Sequence, residues 1–531
     1  MKRILALTLV LTLALGACAG LSLAEGDENF NSTGYPIANE PVTYTALARH
    51  SSQYADDYNE YEAIQYWTEL TNVQFEWEYL STTDWDTQIN LKLAAGDIPD
   101  MIYSPLSTSQ LQTYGVEGGM FLDYNEYIDE YMPNFKSSIE ENPDLGSFAT
   151  MLDGGMYALP RTLWTYNIAA PIYYRGDMLE ELGAEVPTTV DEFYDLLVLA
   201  KEHYADVEGF YPFLSQPSYI HNNLFPAFGD AYQVPYGDNG DGKVTYNYAT
   251  DQFRRYLEFV HKLYAEGLIN PEIFTMDAAT INAQVKAGQC FFLGNVGTQL
   301  TGEHYASGEV ETKILPPLVS EWTDEMKTLE IATLGYAGRT INANTENPEY
   351  LLRYLDMFYT EIGEADINVS GVSSWLGTQG VNWDITEDGQ CYYRIVPEDT
   401  EGLSEEEYKN KYVIDSSYVG TVVLDLFPIN NPTQEMKAYE SAEHYYPYMK
   451  YRLMDGFFKY DANENAELTA IQADINTYVD TAIAQFITGT LEINDANWEN
   501  YISTLNSMGL ERALEIMQVG YERWNGTITE E

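Results

Sequence analysis

Residues 73–104 read VQFEWEYLSTTDWDTQINLKLAAGDIPDMIYS, and this stretch decides the architecture. Residues 73–80 are rich in aromatic and β-branched side chains and predict a strand. Residues 85–95 predict a helix stopped by Gly96. A turn, Pro99 and a short apolar strand follow, ending in a polar loop at Tyr103-Ser104. Upstream, VTYTALA at 42–48 alternates as a strand does, and Tyr58, Tyr61, Ile64, Trp67 or Tyr66, and Leu70 recur at helical spacing. The order β–α–β–α–β, without repeats, argues for an α/β sheet rather than a β sandwich.

The pattern continues outward from there. Pro187-Thr188-Thr189 precedes VDEFYDLLVLAKE, a helix start with a hydroxyl cap and early carboxylates. DNGDGKV at 238–244 is a turn signal before the alternating VTYNYA. Residues 253–266 predict a helix ended by Gly267, and Asn347-Pro348-Glu349 starts another running to about Thr360. Residues 462–524 are helical in pattern apart from a break near Gly489.

The 531 residues carry 26 Lys+Arg against 83 Asp+Glu, a formal charge of −57. That balance excludes nucleic-acid binding by counterion release and docking on an anionic membrane through basic residues. With 45% hydrophobic residues, a sizeable core is available to about two to four domains. Aromatic residues make up 14% of the chain, 45 of them Tyr. Such rings build cores, and they also build stacking surfaces.

Met1-Lys2-Arg3 followed by a run broken only by Thr8 and Thr12 has the form of a secretory signal, too short to span a bilayer. Leu15-Gly16-Ala17-Cys18 looks like a bacterial lipobox, which would place a lipid on Cys18. Cleavage after Ser22-Leu23-Ala24 is the competing reading, as in ordinary secretion. Residues 1–17 are therefore expected to be a signal peptide, and the small, polar residues 18–40 a lipidated tether. Only Cys290 and Cys391 would remain besides the lipidated one. They are too few for a disulfide framework, although one bridge is open to them. The six His residues form no zinc motif, and no cofactor is expected.

Several segments together resemble the extracellular solute-binding proteins, family 1, of sugar-uptake ABC transporters, in particular the large lipoprotein branch of Gram-positive bacteria. They are NLKLAAGDIPDMIYS (90–104), MYALPRTLWTYNIAAPIYYRGDMLEELGAEVPTTVDEF (156–193), LYAEGLINPEIFT (263–275), AGQCFFLGNVGTQL (287–300) and the C-terminal run FITGTLEINDANWENYISTLNSMGLERALEIMQVGYERW (486–524). Their shared order over residues 42–524 is more specific than any one of them. The resemblance implies a two-lobed α/β fold, like that of periplasmic binding proteins, with several interlobe crossings, a helical C-terminal region and a ligand cleft between the lobes. Crossings are expected near 163–171, 317–334 and Ser370. Residues 41–165 and 330–370 would form the N-terminal lobe, and 166–329 and 371–531 the C-terminal lobe. One departure concerns calcium. The resemblance implies an Asp/Asn-Gly loop after the helix at 190–201, and EHYADVEGFYPF stands there instead. GDNGDGK resembles an EF-hand loop, but alignment on Gly242 puts Gly237 and Tyr248 where carboxylates belong, so a hairpin turn is the expectation.

A sugar offers apolar C–H faces and a rim of hydroxyls, so it is held by stacked rings and planar polar side chains. Open α/β sheets bind at the C-terminal edge of their strands. Four places there combine rings with polar groups. They are Arg49, His50, Ser51, Ser52 and Tyr54 after the first strand; Tyr103, Ser104 and Ser107 after the third; Arg161, Trp164, Tyr166 and Asn167 at the first crossing; and Asn295 with Thr298 between glycines. Trp375 and Trp383 flank the turn WLGTQGVNW. For each Trp the competing reading is core packing.

The functional expectation is a surface lipoprotein, monomeric and not an enzyme, that captures an oligosaccharide and delivers it to ABC transporter permease subunits. A receptor for a peptide or another non-sugar solute is the alternative, because fold alone does not choose the ligand. A secreted carbohydrate-active enzyme is the minor one: acid pairs such as Glu180-Glu181 abound, but neighbours in sequence are not two carboxylates held across a bond.

Overall fold

The computed structural model describes residues 27–50, 54–164, 171–216, 220, 224–231, 234–238, 241–276, 278–294, 312–330, 334–361, 366–389, 391–395, 420–423, 427–429, 443–452 and 457–524. The chain begins as its sequence predicts. Strand β1 (Val42–His50) leads through the 3-10 turn Tyr58–Glu60 into α1 (Glu62–Thr71). Strand β2 (Val73–Ser81), α2 (Trp85–Ala95) and β3 (Met101–Ile102) follow. Strand β1 lies between β2 and β3, parallel to both, and Thr340–Ile341 pairs antiparallel with β3. Helix α2 stops at Gly96 in the left-handed conformation.

Helices α3 (Pro133–Glu141) and α4 (Pro143–Ala149) lead to β4 (Leu159–Trp164). The second sheet contains β5 (Ile172–Arg175), β6 (Tyr211–Ser215), β9 (Cys290–Gly294) and β10 (Thr312–Ile314), in the order β10-β5-β9-β6. Between β5 and β6 runs α5 (Val190–His203). Between β6 and β9 come the hairpin strands β7 (Tyr236–Asp238) and β8 (Val244–Tyr246), then α6 (Asp251–Ala265). The hairpin is the expected turn, and Asp238 Oδ1 accepts the Asp241 and Gly242 amides within it. Downstream, α7 (Glu349–Asp356) tightens into a 3-10 turn, Met357–Tyr359, before Thr360. The C-terminal run is three helices, α8 (Ala462–Thr488), α9 (Asp495–Ser507) and α10 (Leu510–Trp524). The expected break at Gly489 is there, and a second falls at Met508-Gly509, where Gly509 takes φ +99°.

Each sheet has its own core. Tyr44, Ala46, Ile64, Trp67 and Phe75 of the first pack with Leu351, Leu355 and Phe358. Phe193, Phe213, Phe253 and Phe292 of the second pack with Ile475, Val479, Ile483, Trp498 and Tyr501 of the C-terminal helices. The chain leaves the first sheet after β3 and returns to it at Thr340–Ile341, having built the second sheet in between. The passes meet in a third sheet, where β4 lies between Leu334–Gly338, antiparallel, and Gly420–Val423, parallel. Glycine is required at two points of this crossing. A Cβ on Gly338 (φ +81°) would strike the Tyr103 carbonyl, and one on Gly420 (φ +86°) the Phe358 carbonyl.

Two boundaries differ in detail from the sequence expectation. The tether of 18–40 is folded from residue 27 onward. Ile37 and Ala38 are fully buried with their amides on the Thr71 carbonyl, and Phe30 packs edge-on against Tyr131 and Tyr350. Contacts also run across the expected lobe boundary at 370/371. The Gln379 amide donates to Asn368 Oδ1, and the Asn382 side chain donates to Glu62 on α1. Cys290 lies in β9 and Cys391 in a separate three-stranded sheet with no disulfide between them. Among the described residues no helix is long and apolar enough to cross a membrane.

Candidate functional site

Parallel pairing of β1 and β2 builds a graded surface. The two strands are in register from Val42↔Val73 to His50↔Ser81, with Ala46 beside Trp77 and Ala48 beside Tyr79. Side chains two apart in a strand share a face, so Val73, Phe75, Trp77 and Tyr79 line up along β2. Val73 and Phe75 are buried, while Trp77 and Tyr79 are half-buried. The rings therefore come out of the core toward the C-terminal edge of the sheet.

At that edge they form a shelf centred on Tyr58, itself only 1% exposed. Its ring lies 5.2 Å from Trp77, 5.1 Å from Tyr79, 6.2 Å from Tyr103 and 6.3 Å from Tyr54. His50 sits 5.0 Å from Tyr79 and 6.1 Å from Tyr54. Trp77 meets Tyr103 edge-on at 5.0 Å. Polar bonds fix these rings: the Tyr58 hydroxyl donates to the Arg49 carbonyl, its amide donates to the Tyr79 hydroxyl, and Trp77 Nε1 donates to Asn59 Oδ1. Burial, aided by the charge of Asp57, holds the Tyr79 phenol above its ordinary pKa, so the hydroxyl stays neutral.

A cation lies beneath the shelf. Arg339 is 1% exposed, with a left-handed backbone (φ 57°) and its guanidinium 3.6 Å from the Tyr103 ring centroid. Its Nη1 donates to the Tyr103 carbonyl at 3.2 Å and to the Ala337 carbonyl. This fixes the ring that closes the shelf to a residue of the second crossing. Arg49 stacks on Trp85 at 4.8 Å, on the opposite face of the strand, and its Nε is buried with no hydrogen-bond partner among the described residues.

The structure thus brings five sequence candidates to one edge: Arg49, His50, Tyr54, Tyr103 and Ser104. Ser104 is buried, and its Oγ accepts the Arg49 amide. Ser107 is exposed nearby, where it caps the next helical turn in a capping box with Gln110. Trp375 is half-buried, 6.4 Å from Tyr392. Trp383 is 0% exposed, with Nε1 donating to the Gly377 carbonyl at 3.0 Å, so its ring is enclosed by packing. Trp164 contributes main chain to β4 opposite Val423. The side chain of Trp164, with Ser51, Ser52, Tyr166, Asn167, Asn295 and Thr298, lies outside the described residues. Sequence reasoning passed over Tyr58, Trp77, Tyr79 and Arg339. The period-two run Phe75-Trp77-Tyr79 was the available signal for two of them. A polar recess of about 540 Å³ sits at the other end of β1, lined by Asp27, Tyr44, Asp100 and Tyr350. It is remote from the edge where open α/β sheets bind ligands.

Comparison with known proteins agrees with this architecture. The family model described as bacterial extracellular solute-binding protein matches residues 51–365. The fructooligosaccharide ABC transporter substrate-binding protein FusA of Streptococcus pneumoniae is 24% identical, over 96% of this chain and 96% of that protein. The structure of FusA in complex with kestose superposes with a TM-score of 0.71 at 20% identity, covering 92% of this chain and all of that one. An extracellular solute-binding protein from Bifidobacterium longum subsp. infantis gives a TM-score of 0.74 at 20% identity, covering 93% of this chain and all of that one.

Proposed function

The chain belongs to the bacterial extracellular solute-binding proteins, and from that premise we propose that it captures a neutral oligosaccharide between its two lobes and hands it to an ABC transporter permease. The lobes would be 41–165 with 330–370, and 166–329 with 371–531, the segment after 370 also touching α1 of the first. The observation that carries the ligand class is the ring shelf at the C-terminal edge of the first sheet. Half-open faces of Trp77, Tyr79, Tyr54 and His50 match the apolar faces of a pyranose or furanose. The oligosaccharide named for FusA supports the same reading. A formal charge of −57 disfavours polyanionic glycans.

Capture needs no bond to be broken. Contacts to both lobes exist together only when the lobes close, so the ligand draws the pair shut by its differential affinity. The guest leaves chemically unchanged. Candidate contacts on the second lobe are Asn295, Thr298 and Tyr166, with Trp164 and Trp375 near the crossings. Lipid on Cys18 would hold the protein, as a monomer, at the outer face of the membrane beside its permease.

Calorimetry of the chain from residue 19 against neutral fructo-, gluco- and manno-oligosaccharides and oligogalacturonates tests the ligand class. Saturable heat with a neutral oligosaccharide, weakened about tenfold in Trp77→Ala, is the expected result. A peptide co-purifying with the protein and displacing nothing from the glycan panel would overturn it. Cys18→Ala is expected to move the protein from the membrane fraction to the medium.

A further inference from the structure

One buried lysine stands where the C-terminal helices meet the first lobe. Lys459 lies in the segment 457–460 that leads into α8 and is 6% exposed. Its Nζ donates to the Phe148 carbonyl on α4 at 2.9 Å and to the Tyr336 hydroxyl, on the Leu334–Gly338 crossing strand, at 3.0 Å. The Tyr336 hydroxyl donates in turn to the same Phe148 carbonyl at 3.2 Å, so three groups close a triangle. The rings of Phe148 and Tyr336 flank Nζ at 5.0 and 5.4 Å.

The rest of the segment is held from the other side. Phe457 packs 5.5 Å from Trp524 of α10, and Phe458 lies 5.7 Å from Tyr521. Arg523 donates to the Lys459 carbonyl and pairs with Glu464 at 2.6 Å. Helices α8 and α9 share the second core, and α10 packs on α8 and β8. The backbone of Lys459 thus travels with the second lobe while its side-chain amine reaches into the first.

We propose that Lys459 is a positioning residue for ligand capture: a pin through which the C-terminal helices hold the two lobes at the angle seen here, released when the ammonium is drawn into water. The proposal deepens the solute-binding reading and rests on it only for the link between lobe angle and affinity. Burial pushes the pKa of Lys459 down to about 7. Among the described residues, the charged groups on these elements nearest in sequence to the contact are Asp144 on α4, Asp461 and Glu464 at the start of α8 and Arg523 on α10. Asp461 caps α8, and Glu464 is engaged by Arg523. Tyr336, raised by its own burial, stays a neutral phenol. A lysine released to water regains a pKa near ~10.4, so protons favour the unpinned form. The pin is at full strength only above the released value of ~10.4, weakens by up to about tenfold per unit as pH falls toward 7, and changes little below that.

The test uses the ligand-free protein, by small-angle scattering at pH 8.5 and pH 5.5, with Lys459→Met and Tyr336→Phe beside the wild type and thermal melts to confirm folding. The wild type is expected to show a larger radius of gyration at pH 5.5. Lys459→Met is expected to show none of that change, and Tyr336→Phe a change displaced along the pH axis. With the best glycan of the panel, the wild-type Kd should rise about three- to tenfold from pH 7.5 to 6, and stay flat in Lys459→Met. A pH response of the radius that is absent from the wild type, or the same in wild type and Lys459→Met, overturns the pin. If no glycan binds while the radius responds as described, the oligosaccharide reading fails and the pin stands.

Discussion

In the second lobe Tyr248 and Phe253 stack at 4.4 Å, nearly parallel, with Phe225 and Tyr256 around them, and Phe253 and Tyr256 are fully enclosed. In the first lobe Trp77 and Tyr79 are also nearly parallel, at 6.5 Å, but both are half-buried and stand at the end of a strand. The rings are alike in kind and local geometry, and they differ in what lies beyond them. On α6 the next shell is α8, whose Val479 and Ile483 cover the cluster. At the end of β2 the sheet simply stops. A ring with cover on all sides contributes to stability, and a ring with one open face is available to a guest. The widest break in this comparison would come from Phe253→Ala. It should cost about 3–5 kcal/mol of stability, read by denaturant unfolding. Glycan affinity of the folded fraction should stay within about twofold of wild type, and a larger loss of affinity would mean that the core cluster also shapes the site.

The next effect sets a buried carboxylate of the first lobe against its ring shelf. Asp356 accepts the amides of Asn134 and Phe135, where α3 begins, and the Asn134 side chain. Burial nevertheless pushes its pKa up to about 7, against the pull of those donors. An unfolded Asp titrates near ~3.9. Between those values the folded chain keeps a proton that the unfolded chain releases. The stability this group contributes is therefore fully present below about pH 4 and is lost as pH rises through 7. Asp356→Asn keeps an acceptor oxygen and removes the titration. Melting curves from pH 4 to 7 should show wild type losing on the order of 1–2 kcal/mol relative to the variant. Parallel pH profiles for the two proteins would show that the amide donors win and the carboxylate stays ionised throughout.

Trp77→Ala is the converse of Phe253→Ala. Loss of one half-open ring should weaken glycan binding about tenfold, or ~1.4 kcal/mol, with a smaller change in melting temperature. Calorimetry reads the first and scanning calorimetry the second. If stability falls as far as in Phe253→Ala while affinity holds, Trp77 is a core residue that happens to show an edge.

What the sequence made legible follows from the range of the forces involved. Helix stops at Gly96 and Gly489, the Thr189 cap and the strand periods at 42–48 and 73–80 are local, and each stands in the structure close to where its residues predict. Burial is not local. Trp383 sits in a Gly-rich turn, as a contact residue might, yet Val372, Leu376 and Tyr392 close over it. Trp77 reads as a core strand residue, yet it has a half-open face because its strand ends four pairs later. Arg339 gave no signal, because its role depends on Tyr103, which follows β3 and is far away in sequence. Composition reads 18–40 as a tether, but it does not show that Phe30 has a ring partner in Tyr350 on α7 and the Ile37 amide an acceptor in the Thr71 carbonyl on α1.

The smallest effect tests whether local signals matter once tertiary packing is in place. Thr189 caps α5 in a capping box: its hydroxyl accepts the Glu192 amide at 3.1 Å, and Glu192 Oε2 accepts the amides of Thr188 and Thr189. These bonds hold the Glu192 carboxyl below its ordinary range, the Thr188 amide contributing most. The same turn is joined to the second sheet's flank, since the Val190 amide donates to Val319 and the Val319 amide to Thr188. Thr189→Ala removes one acceptor for an N-terminal amide of the helix and should cost ~1 kcal/mol. The Val319 bonds hold the backbone in place, so the helix should persist, and circular dichroism should be unchanged at 25 °C while the melting temperature drops. Neither ring cluster is touched, so glycan affinity should not move. A shift in affinity as large as that of Trp77→Ala would mean that the start of α5 is coupled to the ligand edge, and the contrast between covered and open rings would then no longer account for where binding energy resides.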